Sequence, residues 1–319
     1  MRLSVVIPTR NRAATVVPLL DNLAWQIRRD GLVGQAEIVI VDDHSGTAER
    51  GKLRAFLAGV AADIFNPLFL TRHRGASAAR NIGLEKASGD LVAFLDDDLI
   101  PAVDYIRRTI EVHHRNPRAL VINGDLKKWR DDVYSDFWFS RYDRVFNRPG
   151  QHFYPVAALA SGHFSVKRAL ARRIRPLFDE GLPSREDFDL YLRLLDLGIP
   201  VHKSDQILAY NLCRSSLWGL MRQYAWYARG EYFLRRKHGA ARIMREQARV
   251  NHTAARPAPE SWRLLPVRLA VRLSSTVAFN YESYRHQRDP VCLLRIADAV
   301  LFAGTLSHLR RRFKQRASA

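Results

Sequence analysis

The stretch Leu91–Pro101, LVAFLDDDLIP, constrains the fold more than any other part of the chain. Its apolar run Leu91–Leu95 is rich in strand formers and follows a Gly-Asp turn pair, which predicts a buried strand. The run ends abruptly in three carboxylates, Asp96–Asp98. The strand is therefore expected to deliver a dense negative charge to one edge of a sheet.

Alternation along an extended backbone puts Asp96 and Asp98 on one side of the strand and Asp97 on the other. Three adjacent acids repel one another, and a divalent cation with oxygen ligands is the simplest compensation. Asp96 and Asp98 could then address one ion and its phosphate ligands, which makes Asp97→Ala the mildest of the three substitutions. The alternative is a solvated acidic turn, and a short motif standing alone favours that interpretation.

Strand-like and helix-like segments alternate before this stretch. The predicted strands are Leu3–Ile7, Glu37–Val41 and Ile64–Leu70, and the predicted helices cover about Ala13–Arg28 and Thr47–Ala61. This spacing indicates βαβ units and a mostly parallel sheet. In such sheets, ligands bind beyond the carboxyl ends of the strands.

Polar clusters follow three of these strands at the point where each strand ends. They are Thr9-Arg10-Asn11, Asp42-Asp43 and Asp96–Asp98. Their convergence on one rim of the sheet is stronger support for a ligand site than any one motif.

The next part of the chain supplies candidates for a second half of the site. Val103–His114 is predicted to be helical, and Ala119–Ile122 and Leu159–Val166 are predicted strands. Between them, Asp125–Pro155 holds nine aromatic residues, including Trp138. This segment is either a packed insertion or an acceptor-side lid with a sugar-stacking wall.

A clear helix begins at Glu186 and runs to Leu197, where Gly198 ends it. Glu186 and Asp187 lie in its first turn. Acidic residues there are commonly ordinary stabilisers of a helix N-terminus. The functional alternative is a carboxylate base.

The 319 residues, 47% of them hydrophobic, are enough for one or two folded domains, and their net charge of +19 is uneven. From Arg214 onward there are 21 Lys and Arg against 6 Asp and Glu. Such a module could meet nucleic acid, an anionic membrane or phosphorylated substrates. Two cysteines without CxxC spacing argue against a disulfide framework or zinc site and favour a reducing cytoplasm. The first residues do not have the pattern of a signal peptide.

The basic module is predicted to be mainly helical. Leu217–Lys237 combines aromatic and basic residues, Ala254–Pro259 is a predicted linker, and Trp262–Asn280 is apolar with spaced arginines. A last helix would end in a basic run, and Val291–Leu306 is too interrupted by charge to span a bilayer. These helices are either an interfacial membrane segment or a helical cap with a solvated basic face.

Four segments together resemble the family 2 glycosyltransferases of the GT-A fold. They are LSVVIPTRNRA, EIVIVDDHS, GASAARNIGLEKASGDLVAFLDDD and ASGHFSVKRALARRIRPLFDEGLPSREDFDLYLRLLDLGIPV. The resemblance covers roughly residues 3–211 and implies an α/β, Rossmann-like, mostly parallel central sheet flanked by helices. It divides the chain into a GT-A domain, 1–211, and a basic helical extension, 212–319. Within the domain, about 1–100 would bind the nucleotide-sugar and 101–211 the acceptor.

The resemblance also implies inverting transfer of a sugar from a nucleotide-diphosphate donor, with UDP as the default and Mn²⁺ or Mg²⁺ as cofactor. The donor side would comprise Pro8, Thr9, Arg10, Asp42, Asp43, Arg80, Asp96 and Asp97. Asp98 would bind the metal with Asp96. Asp187, beside Glu186, would be the catalytic base, and Gly162 and His163 would flank the acceptor together with Trp138.

The sequence departs from the family pattern at one point. Many relatives carry a histidine shortly after the acceptor strand that can assist the metal, and here Tyr210 and Asn211 lie near that position. His202 comes earlier in the chain and is interpreted as structural. No third protein ligand to the metal is therefore assigned.

The chemistry of sugar transfer independently needs these residue types. A departing diphosphate requires a cation, and the attacking hydroxyl must lose a proton to one nearby base. The expected function is a metal-dependent inverting glycosyltransferase at the cytoplasmic membrane face, acting on a lipid-linked, glycan or phosphorylated acceptor. One alternative is the same chemistry on a soluble small molecule. Another is a non-catalytic basic module that binds a polyanion, although no nucleic-acid-binding signature occurs and no nucleic acid is expected.

Overall fold

The computed structural model describes residues 1–60, 63–253 and 264–287, together with positions 292, 295, 296 and 299. The linker predicted at Ala254–Pro259 and the final basic helix lie outside the described residues, as does most of Val291–Leu306. Secondary structure in the described part alternates between strands and helices up to Asn211 and is helical beyond it.

The strands are β1 (Leu3–Thr9), β2 (Ala36–Asp42), β3 (Phe65–Phe69), β4 (Leu91–Leu95), β5 (Leu99–Pro101), β6 (Val121–Lys128), β7 (Phe153–Val156), β8 (His163–Lys167) and β9 (Val201–Asn211). The helices are α1 (Ala13–Arg29), α2 (Thr47–Ala58), α3 (Ala76–Lys86), α4 (Tyr105–Arg115), α5 (Val133–Phe146), α6 (Arg168–Arg173), α7 (Glu186–Asp196), α8 (Leu217–His238), α9 (Ala240–Thr253) and α10 (Leu265–Gln287).

The first four strands form the parallel half of the sheet. β1 pairs in parallel with β2 on one side and with β4 on the other, and β3 continues the sheet beyond β2. Every residue of β1, β2 and β4 is buried. Continuous apolar runs of this kind are typical of parallel strands covered on both faces.

The second half of the sheet is mixed and continues the first without a break. β8 lies antiparallel between β4 and β6, and β9 is parallel to β6. The strand order is β3-β2-β1-β4-β8-β6-β9-β5, with β7 paired to β9. The α/β fold with a Rossmann-like first half is confirmed, and the carboxyl ends of β1, β2 and β4 lie side by side.

Two apolar clusters hold the described residues together. The larger packs the sheet against its helices, and α1 contributes Val16, Leu20 and Leu23 from one fully buried face. The smaller joins Phe137 of α5 to Leu220 of α8 and to α10. Helix α8 is therefore anchored to the α/β part through α5.

The predicted elements agree with the structure except at their ends. β1 continues through Pro8 to Thr9, and α2 ends at Ala58, before the expected Ala61. The aromatic segment Asp125–Pro155 contains α5, whose Phe137, Phe139, Tyr142 and Phe146 are buried. Among the described residues, no helix is both long enough and apolar enough to cross a bilayer.

Candidate active site

A cavity of about 670 Å³ opens where β1 and β4 end and where β8 and α7 begin. Nearly all residues singled out from the sequence line it: Pro8, Thr9, Arg10, Asp43, Arg80, Asp96, Asp97, Asp98, Trp138, Gly162, His163, Glu186 and Asp187. The exception is Asp42. The predicted donor, metal, base and acceptor residues thus share one site.

Asp97 is the most enclosed member of the acidic triad. Thr9 Oγ1 donates to Asp97 Oδ2 at 2.7 Å, and Arg12 Nη1 donates to Asp97 Oδ1 at 2.7 Å. Burial raises the pKa of Asp97 to about 6, against the opposing charge of Arg12. The expectation that Asp97→Ala would be mild is thus inconsistent with the structure, because Asp97 ties β4 to β1.

Arg80 joins the donor side to the start of α7. Its Nη2 lies 2.7 Å from Asp96 Oδ1 and its Nη1 lies 2.8 Å from Glu186 Oε1. Ser161 Oγ also donates to Glu186 Oε1, at 2.9 Å. Arg80 and Glu186 are both buried, so their ion pair is shielded from water, whereas the Asp96 side chain is 34% exposed.

Three arginines supply positive charge to the triad. Arg80 pairs with Asp96, Arg12 Nη1 lies 2.9 Å from Asp98 Oδ2, and Arg214 Nη2 lies 3.8 Å from the same Asp98 atom. The repulsion between adjacent acids is therefore relieved by side chains of the chain itself. The sequence argument for a metal, which rested on that repulsion, is weaker than expected.

The residues nevertheless fit a divalent cation held jointly with a nucleotide. Among the described residues, no three His, Cys, Asp or Glu side chains gather closely enough to hold a metal alone. Asp96 Oδ2 and Asp98 Oδ1 remain outside the ion pairs, and a Cβ at Gly162 would lie 2.2 Å from Asp96 Oδ2. Glycine there leaves the carboxylate room. One or two carboxylates with phosphate oxygens are the usual ligands of Mg²⁺ in nucleotide sites.

The two acids that end β2 have different environments. Asp43 lines the cavity and accepts from the backbone N–H groups of Arg74 and Gly75, at 2.7 and 2.8 Å. Asp42 is buried outside the cavity lining, where Arg50 Nε donates to it at 2.8 Å. Asp42 therefore lies outside the cavity lining, and its assignment to the donor side stays a prediction.

Asp187 has the features of a base. It lies in the first turn of α7, two residues after Arg185. Arg185 precedes the helix and has a φ of 68°, in the left-handed region. Burial, with the charge of Glu186 beside it, raises the pKa of Asp187 to about 6. Asp187 can therefore be ionised at neutral pH and still accept a proton, whereas Glu186 is committed to Arg80 and Ser161.

His163 forms part of the cavity wall. It is fully buried and its ring stacks on Tyr105 at 5.6 Å between centroids. Neither ring nitrogen has a hydrogen-bond partner in the described structure. Burial, with the charge of Lys203, lowers the pKa of His163 to about 3, so the ring is neutral at neutral pH. His202 stacks flat on Phe153, in line with its structural interpretation.

Helix α8 also lines this cavity, which the sequence did not predict. Gln223, Tyr224, Trp226 and Tyr227 line the cavity. The aromatic residues of α8 were visible in the sequence. Which of them face the cavity depends on how the helix packs against the rest of the structure. Exposed Trp218 is the only α8 tryptophan outside the cavity lining.

The docking of α8 is centred on the two residues before Glu186. Ser184 Oγ donates to the Trp226 carbonyl oxygen at 2.8 Å, and Arg185 Nη2 lies 3.2 Å from Glu231 Oε2. A Cβ at Gly230 would lie 2.0 Å from Ser184 Oγ. Only glycine allows this close approach, so α8 sets the position of the chain that enters α7.

A buried carboxylate holds the other end of the same helix pair. Asp189 of α7 is fully buried, and its Oδ1 lies 2.7 Å from both Lys237 Nζ and His238 Nε2 at the end of α8. Arg193 Nε lies 2.9 Å from Asp189 Oδ2. Helix α7 is therefore clamped to α8 on both sides of the Glu186-Asp187 pair.

The fold is of the GT-A type, with a Rossmann-like sheet whose carboxyl edge carries this polar rim. Residues 4–174, more than half of the chain, match glycosyl transferase family 2. The chain belongs to that family.

Two curated relatives illustrate the range of the family. A pre-mycofactocin glycosyltransferase of Mycobacterium tuberculosis is 29% identical over 202 residues, which cover 61% of this chain and 39% of that protein. An undecaprenyl-phosphate 4-deoxy-4-formamido-L-arabinose transferase of Aeromonas hydrophila is 35% identical over 140 residues, covering 43% and 39%. The chain thus spans about two fifths of the length of these relatives.

Solved structures share the fold at low identity. A mannosyltransferase from Pyrobaculum calidifontis, PcManGT, in complex with GDP-Man and Mn²⁺ gives a TM-score of 0.57 at 18% identity, covering 97% of this chain and 80% of that one. Staphylococcus aureus TarS gives 0.57 at 16% identity, covering 94% and 89%. At these identities the likeness shows the fold alone.

Proposed function

We propose that this chain is a metal-dependent, inverting glycosyltransferase that moves a sugar from a nucleotide-diphosphate donor, with UDP favoured, to a hydroxyl of a lipid-linked, glycan or phosphorylated acceptor. The observation that carries the proposal is that one cavity brings the acidic triad together with a separate carboxylate, Asp187. Donor binding and proton removal are two tasks, and the cavity has a distinct group for each.

On the donor side, Pro8, Thr9 and Arg10 border the nucleotide, and Asp43 faces the base from its backbone cradle. Asp98, with Asp96, would hold Mn²⁺ or Mg²⁺. The cation supplies charge neutralisation for the departing nucleoside diphosphate. Two solved structures of the same fold contain Mn²⁺, one with GDP-Man and one with UDP and GalNAc, which supports the use of a divalent cation.

Arg80 orients two carboxylates with one guanidinium. Its two terminal nitrogens bond different carboxylates, which fixes Asp96 on the donor side relative to Glu186 at the start of α7. The donor and the base are thereby held at a set separation, which a single displacement requires.

On the acceptor side, Asp187 removes the proton from the attacking hydroxyl. The hydroxyl oxygen then bonds to the anomeric carbon as the bond to the diphosphate oxygen breaks, and the proton stays on Asp187. One displacement inverts the anomeric centre, so the chain needs no nucleophile of its own. Tyr224, Tyr227 and Trp138 close the cavity around the acceptor.

The test is release of nucleoside diphosphate from a panel of UDP-, GDP- and dTDP-sugars, with Mn²⁺ and with EDTA in its place. At least one donor is expected to turn over with Mn²⁺ and to slow strongly with EDTA. Turnover of no donor, together with binding of no nucleotide, would reject the proposed function. Undiminished turnover in EDTA would reject its metal dependence alone.

Peripheral attachment to the inner face of the membrane is the further part of the proposal, and the basic helices support it. Flotation with anionic vesicles at low salt is its measurement. Association that falls as salt rises is expected, whereas no association at low salt would favour a soluble acceptor.

A further inference from the structure

The positive charges on the two sides of the cavity are used differently. On the donor side, Arg12 and Arg80 each contact two carboxylates. Arg141, Arg185 and Arg214 line the same cavity with weaker pairing, and of these three Arg214 reaches a donor-side acid, Asp98, at 3.8 Å. That surplus of positive charge is not explained by donor binding or by the base.

Arg141 of α5 forms no ion pair with any carboxylate in the described structure. Its guanidinium lies 5.5 Å from the centre of the Tyr224 ring of α8. This distance is typical of a cation–π contact. Arg141 is exposed at the cavity, so its donors remain available. Burial raises the pKa of the Tyr224 phenol, and the charges of Arg141 and Arg185 oppose that shift.

Arg185 and Arg214 also have donors to spare. Within the described part of the chain, Arg185 pairs only with Glu231, at 3.2 Å, and Glu231 is shared with Arg235 at 2.9 Å. The Nε of Arg185 is buried without a hydrogen-bond partner among the described residues. Arg214 reaches Asp98 only at 3.8 Å, where Arg12 already donates.

An unpartnered buried guanidinium nitrogen costs free energy unless a ligand supplies an acceptor. Guanidinium groups match phosphate oxygens in geometry as well as in charge. Two carboxylates line this side of the cavity, Glu186 and Asp187. Glu186 is paired with Arg80, and Asp187 has no ion pair with any described arginine. The balance of charge beside the base is therefore positive.

We infer that Arg141, Arg185 and Arg214 form an anion subsite for a phosphate group carried by the acceptor, next to the hydroxyl that receives the sugar. The inference rests on the proposed function and names its acceptor class. Trp138 and Tyr227 would contact the uncharged part of the acceptor. A lipid phosphate headgroup and a soluble phosphate monoester share this chemistry.

The test measures binding of phenyl phosphate by titration calorimetry to the full chain saturated with Mn²⁺ and whichever nucleoside diphosphate it binds. Phenol, which lacks the phosphate, is the comparison ligand. Phenyl phosphate is expected to bind the wild-type chain and phenol to bind at least about tenfold more weakly, a difference of about 1.4 kcal/mol. Equal binding of the two, or no binding of phenyl phosphate, would overturn the inference.

Arg141→Gln is the variant of choice, because Arg141 has no ion pair to lose. It is expected to weaken phenyl phosphate binding at least about tenfold while nucleotide affinity stays unchanged. Arg222→Gln is the matched control: Arg222 also lies over an aromatic ring, that of Trp218, but outside the cavity lining. An Arg141→Gln chain that binds phenyl phosphate like the wild type or like Arg222→Gln would contradict the subsite.

A second arm separates the sources of the phosphate. Phosphatidylcholine vesicles with and without phosphatidic acid are tested as competitors of phenyl phosphate. Competition that needs phosphatidic acid assigns the subsite to a lipid headgroup, and its absence assigns it to a soluble phosphate. Because nucleotide binding is measured first and separately, failure of the subsite is distinguishable from failure of the proposed function.

Discussion

The donor and acceptor sides of this cavity differ in how their charges are compensated and in which part of the chain builds them. On the donor side, Arg12 and Arg80 hold Asp96, Asp97 and Asp98, and Arg80 also pairs with Glu186 at the start of α7. Arg10 lines the cavity without an ion pair among the described residues. The acceptor side has spare arginine donors and one carboxylate, Asp187, of raised pKa. The donor side belongs to the parallel sheet, whereas the acceptor side depends on α8.

This difference assigns separate tasks. A closed ion-pair network is rigid and holds the donor residues before any ligand arrives. An open set of cations and aromatic rings gains its partners only from a substrate. Substitutions on the two sides should therefore have different effects: some should lower the rate of transfer, others the free energy of unfolding, and others the affinity for the acceptor.

Removing the base should have the largest effect. Asp187→Asn is expected to lower the transfer rate about 10²–10⁴-fold, because an amide cannot accept the proton from the attacking hydroxyl. Nucleotide affinity should be unchanged, since Asp187 lies on the acceptor side. Rates from a single-turnover assay, with affinity from calorimetry, check both parts. Transfer that survives in Asp187→Asn would show that another group is the base.

Breaking the donor-side network should chiefly cost stability. Arg80→Met leaves Asp96 and Glu186 without their buried partner and is expected to lower the free energy of unfolding by about 3–5 kcal/mol. Urea denaturation followed by circular dichroism is the measurement. Arg118→Met, at an exposed arginine with no ion pair in the described structure, should change stability by no more than about 0.5 kcal/mol. Similar losses in both variants would contradict a closed donor-side network.

Disturbing the α8 contact should affect the acceptor side alone. Gly230→Ala places a methyl group 2.0 Å from Ser184 Oγ and is expected to cost about 1–3 kcal/mol of stability and to reduce kcat, with nucleotide affinity intact. Gly51→Ala is the control, because a Cβ there meets no atom within 4 Å and helix α2 should gain about 0.5–1 kcal/mol. Unchanged kcat in Gly230→Ala would show that α8 does not position the Glu186-Asp187 pair.

The pH dependence of transfer tests the same base without a substitution. Since the pKa of Asp187 is raised to about 6, the ionised base is lost as pH falls through that value. Transfer at saturating donor is expected to fall about tenfold for each pH unit below about 6. Asp97 titrates in the same range, so nucleotide affinity measured at each pH separates donor loss from base loss. A rate that stays flat down to pH 4 would exclude Asp187 as the titrating base.

Much of this site could be predicted from the sequence because its parts are local. Strand ends carry Thr9, Asp43 and Asp96–Asp98, and the order of strands in a βαβ unit fixes where those ends meet. The Glu186-Asp187 pair was recognisable because it opens a helix with a clear 3.6-residue period. Each of these signals needs only neighbouring residues.

What could not be predicted depends on contacts between distant segments. Arg12 follows the Thr9 strand end closely, yet only the folded sheet shows that it bonds Asp97 and Asp98. Asp42 and Asp43 are adjacent and chemically alike. Only the folded structure shows that Asp43 lines the cavity whereas Asp42 pairs with Arg50. The aromatic residues of α8 do not indicate from the sequence alone that they line a cavity. That follows only from the packing of Gly230 on Ser184, which brings α8 against the start of α7.

The most direct test of the account is calorimetric titration of UDP, GDP and dTDP, each with Mn²⁺, into the wild-type chain, Asp98→Asn and Asp187→Asn. The account predicts that the wild-type and Asp187→Asn chains bind the same nucleotide with the same affinity and that Asp98→Asn loses the part of binding that requires Mn²⁺. Equal Mn²⁺-dependent binding by Asp98→Asn, or loss of binding in Asp187→Asn, would contradict the division of the cavity into a donor side and an acceptor side.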